Sequence, residues 1–179
     1  MFQALLVQLS EALDQNQIPY MVIGGQAVLI YGEPRFTKDI DITLGVGIEG
    51  LEPVLKIVNT LRWKVLAPSP AEFVRKTMVL PCEDPASGVR LDLIFSFSPY
   101  ERQAMDRVRR ITFLGKEVCF ASPEDLVIHK VVAGRSRDLE DVRVVQLKNP
   151  GMDRVYIEKW LKDFEKTLDR PLVETWKKL

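Results

Sequence analysis

The spacing of apolar residues divides the chain into a mixed first part and a helical last part. Apolar residues recur at helical spacing near the start and predict an amphipathic first helix: Phe2, Leu5, Leu6, Leu9 and Leu13. Short apolar or alternating runs, which are typical of strands, follow at 20–23, 35–44, 73–80, 89–97 and 111–120. Helical patterns lie between some of them, at 26–31 and 51–61. The pattern predicts an α+β fold in which a small mixed sheet is flanked by helices.

Every element predicted beyond residue 121 is a helix. Ser122 is a predicted N-cap, followed by Pro123 in the first turn and the acidic Asp125 at the third helical position. Gly134 ends this helix, and the turn at 149–151 ends the next one. We therefore predict a sheet core at 1–121 with a C-terminal helical cluster at 122–179 packed on it, or a single domain as the alternative.

A pair of glycines lies between the first predicted strand and the following helix. Gly24 and Gly25 let the backbone turn sharply and leave room for a bulky ligand. The free N–H groups of a first helical turn are ready donors to phosphate oxygens. The glycines therefore predict a phosphate-binding turn, with an ordinary tight turn as the alternative.

Thirteen residues separate the second glycine from a pair of carboxylates. Because side chains alternate across a strand, Asp39 and Asp41 share one face while Ile40 and Ile42 point to the core. Two carboxylates held this close repel each other, and a shared divalent cation is the usual reason to keep both ionised. Mg²⁺, or Mn²⁺, is the cation that this oxygen chemistry predicts. Solvated residues at a strand end are the alternative.

A third carboxylate, Asp92, lies in the run 89–95, where Leu91, Leu93 and Phe95 share the opposite face. If this strand pairs with the strand of Asp39 and Asp41, the three carboxylates surround one or two metal ions. The sequence permits that pairing without establishing it.

These residues together resemble the polymerase-β-like nucleotidyltransferase superfamily, and within it the AbiEii-type branch. The resemblance rests on Gly24-Gly25-Gln26-Ala27, on Arg35-x-Thr37-x-Asp39-Ile40-Asp41, and on the segment 123–142, which begins Pro-Glu-Asp-Leu and contains Arg-Ser-Arg-Asp. It covers roughly residues 18–44, 89–96 and 122–145. Many superfamily members have Ser where this chain has Gly25, so only backbone donors remain at that position.

The resemblance implies a metal-dependent transfer of a nucleoside monophosphate from a nucleoside triphosphate to an acceptor hydroxyl. The implied catalytic and metal-binding residues are Asp39, Asp41 and Asp92. The implied nucleotide-binding residues are Gly24, Gly25, Arg35, Lys130 and Asp141. The acceptor is an RNA, a small molecule or a protein, and a toxin-like role would imply an antitoxin partner.

The residues also allow simpler interpretations. Lys130 alone is typical of a solvated lysine, and Asp138 with Asp141 is typical of a surface pair with Arg137 or Arg135. His129, the only histidine, is predicted to be structural or to face solvent. The competing function is a nucleotide-binding or partner-binding protein that keeps the fold without turnover.

Composition bears on the cellular location of the protein more than on its reaction. The 25 basic and 25 acidic residues cancel, so no overall charge attracts a polyanion. Cys82 and Cys119 have neither metal-ligand spacing nor a disulfide framework, which predicts a reducing, cytoplasmic location. No apolar stretch approaches the roughly 18 residues of a membrane span, so we predict no membrane association.

Overall fold

A mixed sheet of seven strands forms the centre of the protein, in a computed structural model that describes residues 2–96 and 98–179. The strands are β1 (Tyr20–Ile23), β2 (Asp39–Leu44), β3 (Lys64–Val65), β4 (Val79–Asp84), β5 (Val89–Phe95), β6 (Arg109–Phe113) and β7 (Lys116–Phe120). Their order across the sheet is β3-β4-β5-β2-β1-β7-β6. The pairs β2/β5 and β1/β7 are parallel, and the other neighbours are antiparallel.

Helices cover the sheet and form the last third of the chain. They are α1 (Phe2–Gln15), α2 (Gly24–Tyr31), α3 (Leu51–Thr60), α4 (Pro70–Thr77), α5 (Pro99–Met105), α6 (Pro123–Ala133), α7 (Ser136–Lys148), α8 (Arg154–Leu168) and α9 (Leu172–Lys177). A short 3-10 turn, Ile48–Gly50, precedes α3. This arrangement confirms the predicted α+β fold with a C-terminal helical cluster. The division at residues 121 and 122 stays a prediction.

The alternation predicted for the central strands is confirmed. Ile40 and Ile42 of β2 are fully buried, while Asp39 is exposed and Asp41 is half-buried. On β5 the buried residues are Leu91, Leu93 and Phe95, again every second position. One face of β2 and β5 therefore belongs to the core, and the other carries the carboxylates.

The predicted strand at 73–80 is wrong. Residues Pro70–Thr77 form α4, and the strand begins only at Val79. Pro70 occupies the first turn, where its missing N–H has no consequence, and Met78 ends the helix in the left-handed region at φ 60°. The proline at the helix start and the left-handed residue at its end mark a helix, although the short apolar pattern of this segment is typical of a strand.

Other boundaries differ by a few residues. The strand predicted from residue 35 begins at Asp39, and the helix predicted from residue 26 begins at Gly24. The end of the run predicted at 89–97 falls on Phe97, which lies outside the described residues. Both predicted hairpins, around 84–88 and 114–116, are present. None of the described helices has the length and apolar character needed to cross a membrane.

Candidate active site

Strand register places two of the predicted site carboxylates side by side. β2 and β5 are parallel neighbours, and Asp41 pairs with Asp92 across them. Asp39 lies two residues earlier on the same face of β2. All three line one cleft of about 480 Å³. The predicted pairing of the two strands is confirmed.

The other predicted residues lie around the same cleft. Gly24, Gly25, Arg35 and Lys130 line it directly. Asp141 lies behind it on α7, where it accepts hydrogen bonds from Arg35 and Lys130. Every predicted site residue therefore lies in the cleft or directly behind it, although these residues are far apart in the sequence.

Both glycines are required by close approach of other groups. Gly24 follows β1 directly and has φ +62°, and a Cβ there would overlap the carboxylate of Asp41. A Cβ at Gly25 would overlap the hydroxyl of Thr37. The turn thus opens the helix and also makes room for side chains of β2 and the segment before it.

Two of the three carboxylates, Asp41 and Asp92, have raised pKa values. Burial, together with repulsion from Asp39 and Asp92, raises the pKa of Asp41 to about 6, although Lys130 and Arg135 act in the opposite direction. Burial also raises the pKa of Asp92, with repulsion from Asp39 adding to it and the neighbouring Arg90 opposing it.

The donor chemistry of this cluster fits a hard divalent cation. Oδ1 of Asp92 is buried without a hydrogen bond, and its nearest cation is Arg90 Nη2 at 3.9 Å. Among residues 2–96 and 98–179, no three His, Cys, Asp or Glu side chains already converge as ligands of one ion. Binding of Mg²⁺ or Mn²⁺ would satisfy this unbonded oxygen and reduce the repulsion among the acids, with Asp39, Asp41 and Asp92 as the residues that would hold the ion.

A second group of charges lies on the helical side of the cleft, and we call it the charge network. Its members are Arg35, Lys130, Arg135, Asp138 and Asp141. Lys130 Nζ is 2.7 Å from Asp138 Oδ1 and 2.9 Å from Asp141 Oδ2. Arg35 Nη2 reaches Asp141 Oδ2 at 3.1 Å, and Arg135 Nε reaches Asp138 Oδ2 at 2.5 Å. Each acid of the network therefore has two cationic partners.

The network overturns two of the simpler interpretations. Lys130 is buried, with a side chain 7% exposed, so it is not a solvated lysine. Asp138 and Asp141 are also buried and do not form a surface pair. Burial raises the pKa of Asp138, but hydrogen bonds from Arg135 and Lys130 outweigh it and leave the pKa lowered. His129 lies outside the cleft, with its ring edge-on to Tyr100 at 5.5 Å.

Sequence reasoning assigned Arg35 but missed Phe36 and Lys38 in the segment 35–38, which lines the cleft between α2 and β2. Arg137 Nη2 donates to the Phe36 carbonyl at 3.2 Å, and Thr37 Oγ1 donates to Asp39 Oδ1 at 3.3 Å. Phe36 and Lys38 also line the cleft. The alternation of Arg35, Thr37 and Asp39 was the signal that placed polar groups here, although the strand itself starts later.

The fold and this carboxylate cleft define a nucleotidyltransferase. The model of the family described as "Nucleotidyltransferase of unknown function (DUF6036)" matches residues 2–168, so the chain belongs to that family. The predicted superfamily and enzyme class are confirmed. Among curated proteins, none matches this sequence.

Solved structures share the fold at low sequence identity. ANT(2″)-Ia in complex with adenylyl-2″-tobramycin has a TM-score of 0.62 and 16% identity, with 93% of this chain and 98% of that chain covered. An antigenic nucleotidyltransferase-like protein from Paracoccidioides brasiliensis has a TM-score of 0.58 and 16% identity, with coverage of 98% and 91%. Lincomycin-bound LnuA, a lincosamide antibiotic adenylyltransferase, has a TM-score of 0.50 and 15% identity, with coverage of 76% and 90%. At these identities the likeness shows the fold alone.

Proposed function

We propose that the protein transfers a nucleoside monophosphate from a nucleoside triphosphate to an acceptor hydroxyl and depends on Mg²⁺ or Mn²⁺. The observation that carries the proposal is the in-register pair of Asp41 and Asp92, with the Asp41 carboxylate packed against the glycine turn at Gly24 and Gly25. Carboxylates that can hold a cation and backbone N–H groups at a helix start are recurring parts of sites for phosphoryl-group chemistry.

Asp39, Asp41 and Asp92 would hold the cation. When bound, the cation supplies positive charge to the phosphate oxygens as negative charge builds up on them. Asp92 has a raised pKa and an unbonded oxygen, which suit it to accept the proton of the attacking hydroxyl. The acceptor oxygen then bonds to the α-phosphorus, the α–β phosphoanhydride bond breaks, and pyrophosphate leaves with the electron pair.

The charge network would support the triphosphate from the helical side. Arg35 and Lys130 line the cleft, and Asp141 orients both by accepting their hydrogen bonds. Arg35 is the more exposed of the two, so it is placed to make a charge-assisted hydrogen bond to a triphosphate oxygen. Gly24 and Gly25 would donate backbone N–H groups at the start of α2.

The acceptor we place first is a hydroxyl of a small molecule. Two structural relatives, ANT(2″)-Ia with adenylyl-2″-tobramycin and lincomycin-bound LnuA, are antibiotic adenylyltransferases. An RNA end and a protein side chain are the other acceptors to test. The AbiEii-type assignment, a toxin role and an antitoxin partner stay predictions.

The test is transfer of label from α-³²P nucleoside triphosphates, with and without Mn²⁺, to aminoglycosides, lincosamides, total tRNA and the protein itself. We expect label on one acceptor class, pyrophosphate release, and loss of both in Asp41→Asn. The matched control is Asp163→Asn, which removes a carboxylate from an exposed pair with Lys166 on α8. Triphosphate binding without transfer to any acceptor would favour the binding protein without turnover.

A further inference from the structure

Phe36 is an exposed aromatic side chain in a cleft whose other walls are polar or charged. It is 74% exposed, although it lies beside the carboxylate cluster in sequence and lines the same cleft. Burying a phenylalanine side chain is worth about 1.5–3 kcal/mol, so leaving it in water forgoes that stabilisation. A phenylalanine in this position has the features of a contact surface for a ligand rather than of a core residue.

The backbone around Phe36 is held at three points, so its exposure is not that of a free loop. Arg35 is tied to Asp141, the Phe36 carbonyl accepts from Arg137, and Thr37 donates to Asp39. Two of these bonds, those with Asp141 and Arg137, connect the segment to α7, which lies more than 100 residues away in sequence. The ring is therefore presented to the cleft by a fixed segment.

We propose that Phe36 stacks on the base of the donor nucleotide. This inference rests on the proposed function, because it takes the triphosphate to lie at Gly24 and the carboxylates. Phe36 precedes Asp39 by three residues, and three residues span at most about 10 Å, so the ring is within reach of a base attached to a triphosphate held there. Lys38 Nζ lies over one face of the ring, 5.9 Å from its centroid, so the base would stack on the opposite face.

Stacking on Phe36 would not require the protein to recognise which base is bound. Every base has a π-face, and stacking on an aromatic side chain contributes about 1–3 kcal/mol per base with little dependence on sequence. We therefore expect Phe36 to strengthen binding of all four nucleoside triphosphates. The phosphates, in contrast, interact with charges and N–H groups elsewhere in the cleft.

The test compares ATP with inorganic tripolyphosphate, each titrated calorimetrically with Mg²⁺ into the parent, Phe36→Ala and Phe36→Trp. Phe36→Ala should weaken ATP binding by about 5-fold to 150-fold and leave tripolyphosphate affinity unchanged, while Phe36→Trp should retain ATP affinity. Leu147→Ala is the control, because Leu147 is 81% exposed on α7 and lies outside the cleft lining.

Equal losses for ATP and tripolyphosphate in Phe36→Ala would overturn the inference, since the side chain would then only support the segment. Unchanged ATP affinity in Phe36→Ala would overturn it as well, while the proposed function would stand on the parent titration. Absence of ATP binding by the parent would overturn both.

Discussion

Two groups of acids face the same cleft from opposite sides and differ in their partners. On the helical side, Asp138 and Asp141 each bind two cationic side chains at 2.5–3.1 Å. On the sheet side, Asp39, Asp41 and Asp92 face one another, and Arg90 at 3.9 Å from Asp92 is their one cationic contact in the described ion pairs. The pKa of Asp138 is lowered, whereas those of Asp41 and Asp92 are raised.

This difference separates acids whose charge is balanced by protein cations from acids that we propose to bind a metal cation. Paired acids in the charge network stabilise the contact between α6, α7 and the segment before β2. Unpaired acids on the sheet make the folded state less stable at neutral pH, and the protein keeps them where a cation and phosphates would complete the site. Raised pKa values and a loss of stability through charge repulsion are typical of functional sites.

Removing the central cation of the network should have the largest effect on stability. Lys130→Met leaves Asp138 and Asp141 buried with one partner each, and breaking a buried pair costs about 3–5 kcal/mol. We expect Tm to fall by roughly 6–20 °C, at about 2–4 °C per kcal/mol for a chain of this size. Thermal unfolding followed by circular dichroism measures it.

Lys166→Met is the matched control, because Lys166 pairs with Asp163 on an exposed helix face. Its loss should change stability by less than about 1 kcal/mol. Equal Tm values for Lys130→Met and Lys166→Met would show that the network contributes no more than a surface pair.

Neutralising an unpaired acid should instead increase the stability of the folded state. The pKa of Asp41 is raised to about 6 from 3.8, so between these values the folded state holds a proton that the unfolded state has lost. Stability therefore decreases as pH rises through that window and stays low above it, by up to about 3 kcal/mol. Without divalent ions, Asp41→Asn should be more stable than the parent near pH 7.5, and this advantage should shrink near pH 4.5.

Urea unfolding at the two pH values, with a chelator present, measures this difference. Asp163→Asn serves as the control for loss of one carboxylate at an exposed site. An Asp41→Asn advantage that is the same at both pH values, or absent at both, would contradict the account of the sheet-side acids.

Gly24 has two roles, since it adopts a left-handed backbone conformation and leaves room for the Asp41 carboxylate. Substitutions with a smaller effect on stability should separate these roles. Gly24 and Gly88 have φ of +62° and +68°, but a Cβ at Gly24 meets Asp41 whereas nothing lies within 4 Å of one at Gly88. Both Gly→Ala variants should lose about 1–2 kcal/mol from the left-handed backbone. Only Gly24→Ala should also displace the Asp41 carboxylate, and so lose its response to Mn²⁺ in a thermal unfolding assay.

If Gly24→Ala keeps the Mn²⁺ response of Gly88→Ala, the glycine is needed for the turn alone. That result would support the simpler interpretation of the glycine pair as an ordinary strand-to-helix turn.

The sequence predicted the sheet-side acids well because strand periodicity is local. Alternation alone placed Asp39 and Asp41 on one face, and the register of β2 with β5 then brought Asp92 beside Asp41. The fold class followed from the same short runs. What alternation could not supply was the partner strand, which is set by packing between distant segments.

The attachment of the charge network to the segment before β2 could not be predicted, because the bonds that make it join residues far apart in the chain. Arg35 and Asp141 are separated by 106 residues, and Arg137 and Phe36 by 101. The i, i+3 spacing of Asp138 and Asp141 showed a shared helix face without showing whether solvent or protein covers it. The missed helix α4 has a similar cause, since Phe73 and Val74 fit a strand pattern until Pro70 and Met78 are given weight as boundaries.

The most direct test of the central claim is the change in Tm on adding Mn²⁺ to the parent, Asp41→Asn, Asp92→Asn and Asp163→Asn. A cation that binds only the folded state at about 100 times its Kd adds about 2.7 kcal/mol, which corresponds to a rise of roughly 5–10 °C. We predict this rise for the parent and Asp163→Asn, and its loss in Asp41→Asn and Asp92→Asn. An equal rise in all four proteins, or none in the parent, would contradict the assignment of these carboxylates as the cation site.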